Sequence, residues 1–437
     1  MNLKRELLDK INNKTAKLGV VGLGYVGLPL TVEKAKAGYN VIGFDVQDKK
    51  VDMVNNGQNY IGDVVDNDLE LLVKDGKIKA TTDFSFVKDV DAVAICVPTP
   101  LDKFKQPDVS YVVNSTKDIA KYIHKGMLVV LESTTYPGTT EEIVKPILEE
   151  SGLKCGEDFY LAFSPERVDP GNKHFNTKNT PKVLGGCTPD CTEVAKVLYE
   201  HILEGEVFAV SSPAVAEMEK ILENTFRHIN IGLVNEMAIL CGKMGIDIWE
   251  VIEAAKTKPY GFMAFYPGPG LGGHCIPLDP FYLTYKAREF DYHTRLIETA
   301  GEINDYMPEF VVENAMKLLN KVRKPLNGSK VLLLGIAYKK DIDDMRESPA
   351  LKVIDHLRIQ GAEIIYNDPY VPEFVHNSER YESVDLQCGL READIVIITT
   401  DHSNYDYEEV VEKSAILYDT RNATKDVINN REKINKL

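Results

Sequence analysis

The sequence lacks three features: long apolar runs, an even number of cysteines and an excess of basic residues. Each absence argues against one class of protein. No apolar stretch approaches the roughly eighteen residues of a membrane span, and the charged start lacks the apolar core of a secretory signal. The seven cysteines are odd in number and scattered, which argues against a disulfide framework and predicts a reducing compartment. A net charge of −16 disfavours nucleic-acid binding, which needs a basic face. We therefore expect a cytoplasmic protein without membrane or nucleic-acid partners.

Metal binding is not indicated either, although one pair of cysteines is close in the sequence. Cys187 and Cys191 are four residues apart. No second pair of Cys or His residues follows at the spacing of a structural zinc site. We therefore expect no metal centre.

The length and the order of the apolar segments predict several domains. The 437 residues, 44% hydrophobic and 27% charged, are typical of a globular protein too long for one core. Short apolar strands alternate with helical stretches at both ends of the chain, and a long helical region lies between. This order predicts an α/β fold with two Rossmann-like parallel-sheet domains, joined by a long central helix and a helical linker domain. The predicted domains are 1–212, 213–322 and 323–437.

A glycine-rich turn follows the first apolar strand. Residues 16–21 form the strand, residues 28–37 have a helical pattern, and the turn between them reads Gly-Leu-Gly-Tyr-Val-Gly. Gly22 allows the tight turn, Gly24 lets backbone amides approach a pyrophosphate, and Gly27 lets the helix pack on the strand. The amino end of the helix then points at the anion. The predicted cofactor contacts of this turn are Gly22, Gly24, Tyr25, Val26 and Gly27.

An acidic residue at the end of the next strand favours NAD over NADP. Asp45 ends the apolar segment 41–45, eighteen residues beyond Gly27. A carboxylate at this position hydrogen-bonds a ribose 2'-hydroxyl and repels a 2'-phosphate. Strand, turn, helix and carboxylate together predict an NAD site.

Polar residues also follow three later strands. They are Thr99 after residues 92–97, Thr134 after residues 127–132, and Glu166 with Arg167 after residues 160–163. Ligands of a parallel sheet bind beyond the carboxyl ends of its strands, so these side chains are predicted to face a cofactor or substrate. For either threonine, capping of a helix is an equally good interpretation.

A helical region from about 213 to 256 carries a polar stripe. Glu217, Lys220 and Asn224 are spaced i, i+3 and i+7, so they share one helix face. The same spacing is common on exposed helices. The sequence alone leaves open whether the stripe is functional or solvated.

The segment 266–280 predicts a shaped loop with a cysteine at its centre. Four glycines and four prolines surround Cys275. Glycine permits the close approach of a ligand or of backbone, and proline restricts the free loop. A thiolate here can attack an aldehyde, and Asp279, four residues later, can orient a water or move a proton. The alternative is that Cys275 is a small buried hydrophobic residue.

A second strand, turn and helix begin at residue 330. Lys339 and Arg346 lie in this turn, near the carboxyl end of the strand. Cations in such a place can hold phosphate groups. The sequence therefore predicts a second nucleotide-binding unit at the C-terminal end of the chain.

Several of these motifs occur in a fixed order along the chain. They are the glycine turn at 21–27, Ser133-Thr134, residues 164–167, Lys220 with Asn224, residues 272–279 and residues 339–346. In this order they resemble the UDP-glucose/GDP-mannose dehydrogenase family over nearly the full length. The resemblance implies that the first domain binds NAD, the last binds the UDP part of a UDP-sugar, and the central helix provides a homodimer interface.

The resemblance also implies roles for the motif residues. Cys275 is the expected nucleophile and Asp279 its proton-transfer partner, while Glu166 and Thr134 arrange water. Lys220 and Asn224 are expected to hold oxyanion charge. Substrate contacts are expected from Glu166, Arg167, Lys220, Asn224, Gly272 and Lys339. Cofactor contacts beyond the glycine turn are expected from Asp45, Thr99, Thr134 and Arg346.

The implied reaction is a four-electron oxidation of a sugar C6 alcohol to a carboxylate, with NAD as acceptor. Cys275 holds the aldehyde as a thiohemiacetal and then as a thioester, which water hydrolyses. The resemblance is greatest to the N-acetylaminosugar branch, with UDP-N-acetylglucosamine as the first choice and UDP-N-acetylmannosamine as the alternative. Leu278 supports this branch, because the UDP-glucose and GDP-mannose branches commonly carry lysine there. Such uronic acids usually serve polysaccharide or glycan synthesis.

Two other functions stay open from the sequence. A two-electron dehydrogenase of the 6-phosphogluconate type shares the nucleotide domain and long helices, but the cysteine loop counts against it. A binding or sensing protein on this scaffold needs no catalysis, yet the expected catalytic residues are all present. The sequence does not identify the arginine that family dimers lend to a neighbouring site, and Arg167 and Arg295 are the residues to test.

Overall fold

The computed structural model describes residues 2–102, 104–169, 172, 174–273 and 275–437. His274 of the cysteine loop lies outside the described residues. The chain forms two compact units. Unit 1 is Met1–Glu223 with Phe281–Tyr292, and unit 2 is Asn224–Pro280 with His293–Leu437. The division into functional domains at 212/213 and 322/323 stays a prediction.

An eight-stranded sheet forms the centre of unit 1. Its strands are β1 (Lys17–Val21), β2 (Asn40–Phe44), β3 (Ile78–Thr81), β4 (Ala92–Ile95), β5 (Leu128–Leu131), β6 (Tyr160–Phe163), β7 (Lys182–Gly186) and β8 (Val207–Val210). The order across the sheet is β3-β2-β1-β4-β5-β6-β7-β8. All neighbours are parallel except β6 and β7, so the last two strands run opposite to the other six.

Alternate residues of the central strands enter two separate apolar cores. In β5, Leu128 and Val130 belong to one buried cluster, whereas Val129 and Leu131 belong to the other. Because side chains alternate along a strand, a strand buried on both faces is apolar throughout. This is why β4, β5 and β6 have no polar position.

Helices precede or connect most of the strands of unit 1. They are α1 (Leu3–Asn12), α2 (Gly27–Lys36), α3 (Asp48–Asn55), α4 (Asp66–Lys74), α5 (Ser110–Ala120), α6 (Lys145–Glu149) and α7 (Pro189–Ile202), with a 3-10 turn at Phe84–Asp89 and a short π-helical turn at Thr140–Val144. Asn2 caps α1 by accepting from the backbone of Arg5, and Thr188 caps α7, which opens with Pro189. Both follow the usual preferences at helix starts.

The helical region predicted over 213–256 consists of two helices. α8 (Pro213–Met244) has 32 residues, and α9 (Ile248–Lys256) follows it. Gly245 has a φ of +70°, a conformation that ends helices, and Asp247 accepts from the backbone of Trp249 to start α9. The glycine and aspartate, two residues apart, are the local signal for this break.

Unit 2 contains a smaller parallel sheet. The remaining strands are β9 (Lys330–Leu334), β10 (Glu363–Asn367), β11 (Glu373–His376), β12 (Glu379–Glu382), β13 (Ile395–Ile398), β14 (Leu417–Asp419) and β15 (Ile434–Lys436). The sheet order is β10-β9-β13-β14-β15, with every pair parallel, and β11 and β12 form a separate antiparallel pair. The remaining helices are α10 (Asp279–Ala287), α11 (Arg295–Lys321), α12 (Pro349–Ile359), α13 (Leu386–Glu392) and α14 (Tyr407–Lys413), with 3-10 turns at Arg288–Phe290 and Arg431–Lys433. Of these, α10 from Phe281 onward and the turn at Arg288–Phe290 belong to unit 1.

The sheet of unit 2 is also covered on both faces. Val331 and Leu333 enter one buried cluster, and Leu332 and Leu334 enter the other. Each unit thus holds one Rossmann-like sheet between two cores, mainly parallel in unit 1 and parallel throughout in unit 2, which confirms the predicted fold class. Within the described residues, no helix is long and apolar enough to cross a bilayer.

Candidate active site

One edge of the sheet of unit 1 brings most of its predicted residues together. Across this edge, the strands β2, β1, β4, β5 and β6 are followed in turn by Asp45, the glycine turn, Thr99, Thr134 and Glu166. These five strands are parallel, so they all end at the same edge. The edge is the place where ligands bind in sheets of this kind.

The glycine turn leaves open space where a pyrophosphate would lie. Gly22 has a φ of +90°, and a Cβ there would lie 2.5 Å from the carbonyl oxygen of Cys96. A Cβ at Gly27 would overlap the carbonyl of Gly22, whereas a Cβ at Gly24 would meet no atom within 4 Å. Two of the glycines are therefore required by packing, and the third opens the space at the amino end of α2. The residues present fit NAD.

Asp45 ties the glycine turn to the end of β2. It is buried, and its carboxylate accepts from the backbone amides of Leu23 at 2.9 Å and Gln47 at 3.0 Å. The hydroxyl of Tyr60 donates to the carbonyl of Leu23 at 2.7 Å. A carboxylate has four acceptor positions, so these two bonds leave capacity for a ribose hydroxyl.

Neither Thr99 nor Thr134 caps a described helix, so the capping interpretation is wrong. Thr99 is buried, and its carbonyl accepts from the hydroxyl of Tyr282. Thr134 is half-buried next to Ser133, whose hydroxyl donates to the carbonyl of Val97 at 2.8 Å. The Ser133 bond joins the ends of β4 and β5, and the Tyr282 bond ties the backbone of Thr99 to α10.

Glu166 is held by its own loop and by a lysine of α8. Its Oε1 accepts from the amides of Arg167 and Val168, both at 2.9 Å. Lys220 donates its ammonium to the backbone carbonyl of Glu166. Since Glu217, Lys220 and Asn224 are all buried, the interpretation of their stripe as a solvated face is wrong.

Arg167 pairs with carboxylates of α8. Its Nε donates to Glu223 at 3.3 Å, its Nη1 donates to the carbonyl of Pro181 at 2.9 Å, and its Nη2 lies 3.5 Å from Glu219. Burial raises the pKa of Glu219 to about 7. Arg167 therefore neutralises acidic charge beside Glu166.

Glu217 joins α8 to the segment that follows β5. Its carboxylate accepts from the amide of Gly138 at 2.6 Å, and from the amide and hydroxyl of Thr140 at 2.9 and 2.7 Å. Burial raises its pKa to about 7, although these hydrogen bonds lower it. Glu217 is a structural member of the stripe.

In unit 2, Cys275 lies in a tight turn at the start of α10. Its carbonyl accepts from the amides of Leu278 at 3.2 Å and Asp279 at 2.9 Å. Cys275 is half-buried, whereas Cys96 and Cys191 are buried in the core of unit 1. The interpretation of Cys275 as a small buried hydrophobic residue is therefore wrong.

The α8 residues of unit 2 anchor the cysteine loop at three points. Asn224 donates to the buried carboxylate of Asp279 at 2.5 Å, and the guanidinium of Arg227 donates to the Asn224 oxygen. A ring nitrogen of His228 lies 3.2 Å from the carbonyl of Ile276. Further along, Asn235 accepts from the amide of Gly268 at 3.0 Å. The three anchors are spaced i, i+4 and i+11, so one face of α8 holds both ends of the loop.

Two glycines let this loop touch the first turn of the second sheet. A Cβ at Gly272 would lie 2.6 Å from the side chain of Tyr338, and one at Gly273 would lie 2.8 Å from its ring. The amide of Gly273 donates to the carbonyl of Arg346 at 3.2 Å. Lys339, which is half-buried, follows Tyr338 in that turn. The cysteine loop and the predicted phosphate-binding cations are therefore neighbours within unit 2.

Sequence profiles of one family match three successive parts of the chain. The NAD binding domain of the UDP-glucose/GDP-mannose dehydrogenase family matches residues 16–203, the central domain matches 214–306 and the UDP binding domain matches 332–426. The chain belongs to the UDP-glucose/GDP-mannose dehydrogenase family. It is an NAD-dependent nucleotide-sugar dehydrogenase, which confirms the family, the cofactor and the enzyme class predicted from the motifs.

Individual members of the family are similar to this dehydrogenase over most of its length. The UDP-N-acetyl-D-glucosamine 6-dehydrogenase of Pseudomonas aeruginosa is 40% identical over 365 residues, 82% of this chain and 84% of the relative. The UDP-N-acetyl-D-mannosamine dehydrogenase of Campylobacter jejuni is 37% identical, over 90% and 97% of the two chains. The solved structure of the Pyrococcus horikoshii UDP-D-N-acetylmannosamine dehydrogenase matches with a TM-score of 0.87 at 34% identity, covering 96% and 98%.

In unit 2 of this dehydrogenase, Asp368 repeats what Asp45 does in unit 1. Its Oδ2 accepts from the amides of Ile336 at 2.6 Å and Ala337 at 3.1 Å. Buried His402 donates to the same oxygen at 3.1 Å and accepts from the amide of Asp341 at 2.9 Å. Burial raises the pKa of Asp368, but the hydrogen bonds from His402 and from the backbone amides have the larger, opposite effect. The net shift of its pKa is downward. The loop that carries Lys339 is thereby fixed at both ends.

Three charged residues near the motifs of the dehydrogenase escaped the sequence analysis. Lys182 and Glu132 form a buried pair at 2.7 Å behind Glu166. Arg421 is half-buried and donates to the carbonyl of Thr399 at 2.9 Å. It packs against Gly268, where a Cβ would lie 2.7 Å from its guanidinium. Glu132 and Arg421 each follow a strand end closely, which is the signal that identified Glu166.

Proposed function

We propose that this dehydrogenase oxidises the C6 alcohol of a UDP-linked N-acetylaminosugar to the carboxylate, with UDP-N-acetylglucosamine as the substrate. The names of its relatives support this sugar class, because they are dehydrogenases of UDP-N-acetylglucosamine and UDP-N-acetylmannosamine. The 2-epimer, UDP-N-acetylmannosamine, is the alternative substrate. The product would serve polysaccharide or glycan synthesis.

The proposed mechanism assigns the carbon chemistry to Cys275. Two NAD molecules, bound one after the other at the glycine turn, would each supply the acceptor for one hydride, the first in forming the aldehyde and the second in converting the thiohemiacetal to the thioester. The thiolate of Cys275 adds to the aldehyde carbon, so the reactive aldehyde is retained until it is oxidised. Lys220 and Asn224 stabilise the oxyanion, and Asp279 accepts and returns the proton of the oxygen. Glu166, with Thr134, takes a proton from the water that hydrolyses the thioester.

The remaining predicted contacts hold the two ligands in this proposal. Asp45, Thr99 and Thr134 with the glycine turn contact NAD, as does Arg346. Arg167, Gly272 and Lys339 contact the UDP-sugar. The observation that carries the proposal is the continuity of α8, on which Lys220 and Asn224 lie one turn apart. Lys220 holds Glu166 within unit 1, and Asn224 holds Asp279 within unit 2, so each set of proposed reacting groups is fixed by a residue of α8.

The experiment counts NADH released for each sugar consumed. Purified protein is given NAD with UDP-N-acetylglucosamine, UDP-N-acetylmannosamine, UDP-N-acetylgalactosamine or UDP-glucose, beside Cys275→Ala. Cys388→Ala is the matched control, because Cys388 is an exposed free thiol. We expect two NADH per UDP-N-acetylglucosamine, lost in Cys275→Ala and kept in Cys388→Ala.

Each other outcome identifies a different function. One NADH per sugar, or full activity without the thiol, indicates a two-electron dehydrogenase. Binding of a UDP-sugar without NADH indicates a binding protein. A ratio of two for UDP-N-acetylmannosamine alone assigns the epimer.

A homodimer in the cytoplasm is part of the same proposal. α8 exposes an apolar stripe of Leu222, Phe226, Leu233 and Leu240, whose burial against a second copy would be favourable. The cysteines other than Cys275 are free thiols, which suits a reducing compartment. Sedimentation velocity should give a dimer for the wild type and a smaller species for Leu233→Lys; a wild-type monomer contradicts the dimer.

A further inference from the structure

A cluster of charged and polar side chains lies directly behind Glu166 in unit 1. We define this buried cluster as Glu132, Lys182 and Tyr199, each of which is at most 5% exposed. No role in the proposed mechanism uses it. Its position follows from the one antiparallel pair of the sheet.

The direction of β7 brings Lys182 to the catalytic edge. Phe163 pairs with Gly185, and Ala162 with Gly186, so the register continued beyond β6 places Glu166 opposite Lys182. A parallel strand would have started at the other edge of the sheet. Lys182 is the first residue of β7 and therefore lies where β6 ends.

Lys182 contacts Glu166 by charge and its loop by hydrogen bonding. Its ammonium lies 3.8 Å from Oε2 of Glu166 and donates to the carbonyl of Pro165 at 3.4 Å. The other carboxylate oxygen of Glu166 is occupied by the amides of Arg167 and Val168. The rotation of the carboxylate is thus defined from two sides.

Glu132 and Tyr199 keep Lys182 charged and in place. Glu132 accepts from Lys182 at 2.7 Å and from the hydroxyl of Tyr199. Burial lowers the pKa of Lys182, but the carboxylates of Glu132 and Glu166 raise it by more, so the net shift is upward. Burial also raises the pKa of Tyr199, whose hydroxyl therefore stays a donor.

We propose that Lys182 is a positioning residue for Glu166, which it holds as an oriented carboxylate for thioester hydrolysis. This inference rests on the proposed function. In that step a water oxygen bonds to the thioester carbon while its proton passes to Glu166. The tetrahedral intermediate then collapses, the C–S bond breaks, and the electron pair leaves on the sulfur of Cys275. No redox change occurs in this step, so the two hydride transfers that precede it do not depend on Lys182.

The variants that test Lys182 follow from how buried ion pairs respond to substitution. Buried ion pairs contribute little net stability, and apolar replacements of similar volume are often tolerated. Lys182→Met keeps the length of the side chain and removes the charge. The double variant Lys182→Met with Glu132→Gln also removes the carboxylate left without its ion partner, and it serves if the single variant does not fold.

The experiment separates the first turnover from the steady state. The full-length enzyme is mixed with saturating NAD and substrate, NADH is followed by stopped flow, and the mass of the intact protein reports acylated Cys275. General bases contribute about 100- to 10,000-fold, so Lys182→Met should slow the steady state at least about tenfold. The first two NADH per site should form within about twofold of the wild-type rate. The thioester should accumulate in Lys182→Met. Hydroxylamine, a nucleophile that needs no general base, should restore turnover of this variant. Lys182→Arg should recover most activity.

Controls distinguish failure of this inference from failure of the proposed function. Lys178→Met removes an exposed lysine paired with Glu204 at 2.7 Å and should behave as the wild type. If Lys182→Met slows the first turnover as much as the steady state, or matches Lys178→Met throughout, the positioning role is excluded. If the wild type forms neither two NADH nor an acylated Cys275, the proposed function itself fails.

Discussion

Asn224 donates its side-chain amide to the carboxylate of Asp279 across 2.5 Å, and both residues are buried. Asp279 begins α10, and its backbone amide donates to the carbonyl of Cys275. This hydrogen bond is therefore one of the links between the central helix and the turn that presents the thiol. An unpaired carboxylate cannot stay buried at this position without cost, which makes the link testable.

Replacing Asn224 should lower both stability and activity. Asn224→Leu leaves the buried Asp279 without this donor, at an expected cost of about 1–3 kcal/mol in the free energy of unfolding. Urea denaturation measures this loss, and NADH production should fall with it. Asn230→Ala is the control, because Asn230 bonds the carbonyl of Phe226 at the helix surface. Equal midpoints for both variants would contradict a structural role for the Asn224–Asp279 bond.

Replacing Asp45 should weaken NAD binding and reduce its advantage over NADP. Asp45→Ala removes the acceptor for the amide of Leu23 and the negative charge that repels a 2'-phosphate. The dissociation constant for NAD should rise about tenfold, the effect of one lost hydrogen bond to a charged group. Fluorescence titration with both dinucleotides measures the change. Asp48→Ala, at an exposed site in α3, should leave the preference intact, and an unchanged preference in Asp45→Ala would refute the assignment.

Glu217 should make stability depend on pH. Its pKa is 4.5 when unfolded and is raised to about 7 by burial, so the folded state binds the proton more tightly. Stability should therefore fall by about 3 kcal/mol as the pH rises from 4.5 to 7, and level off above. Urea midpoints between pH 4.5 and 8 should show this slope in the wild type and a shallower one in Glu217→Gln, in which Glu219 still titrates near pH 7. Glu236→Gln, exposed on the same helix, should keep it; an identical slope in all three proteins would exclude Glu217 as the source.

Lys339 should contribute to UDP binding and not to NAD binding. Lys339→Ala should raise the dissociation constant for UDP at least about tenfold, because hydrogen bonds to charged groups contribute about 1.5–3 kcal/mol. Isothermal titration with UDP and with NAD separates the two sites. The adjacent Lys340 is exposed, so Lys340→Ala provides a matched control. Equal losses in both variants would indicate general electrostatic attraction only.

The sequence predicted the sites whose chemistry is encoded locally. The glycine turn, Asp45 and the cysteine loop each occupy a few neighbouring residues. General rules of backbone geometry therefore predict their function from the local sequence alone. Whether the stripe of Glu217, Lys220 and Asn224 is buried could not be predicted, because exposure depends on what packs against the helix. The three anchors of the loop on α8 depend on the same tertiary packing.

Lys182 could not be found from sequence patterns for a different reason. Its strand, Lys-Val-Leu-Gly-Gly, is short and contains two glycines, which weaken any strand prediction. Its relation to Glu166 also requires β7 to run against β6, and no local signal reports that direction. The pairing of distant segments decided this part of the site.

The two glycines of β7 set the alignment of the site from a distance. A Cβ at Gly185 would overlap the backbone of Ser212, and one at Gly186 would overlap the backbone of Thr192. A slip of β7 by one residue in either direction would bring Leu184 or Cys187 into a space that admits only glycine. The strand therefore has one permitted register, and in it the ammonium of Lys182 stands beside Glu166. Two residues without side chains thus determine the position of a charge that lies three and four residues away.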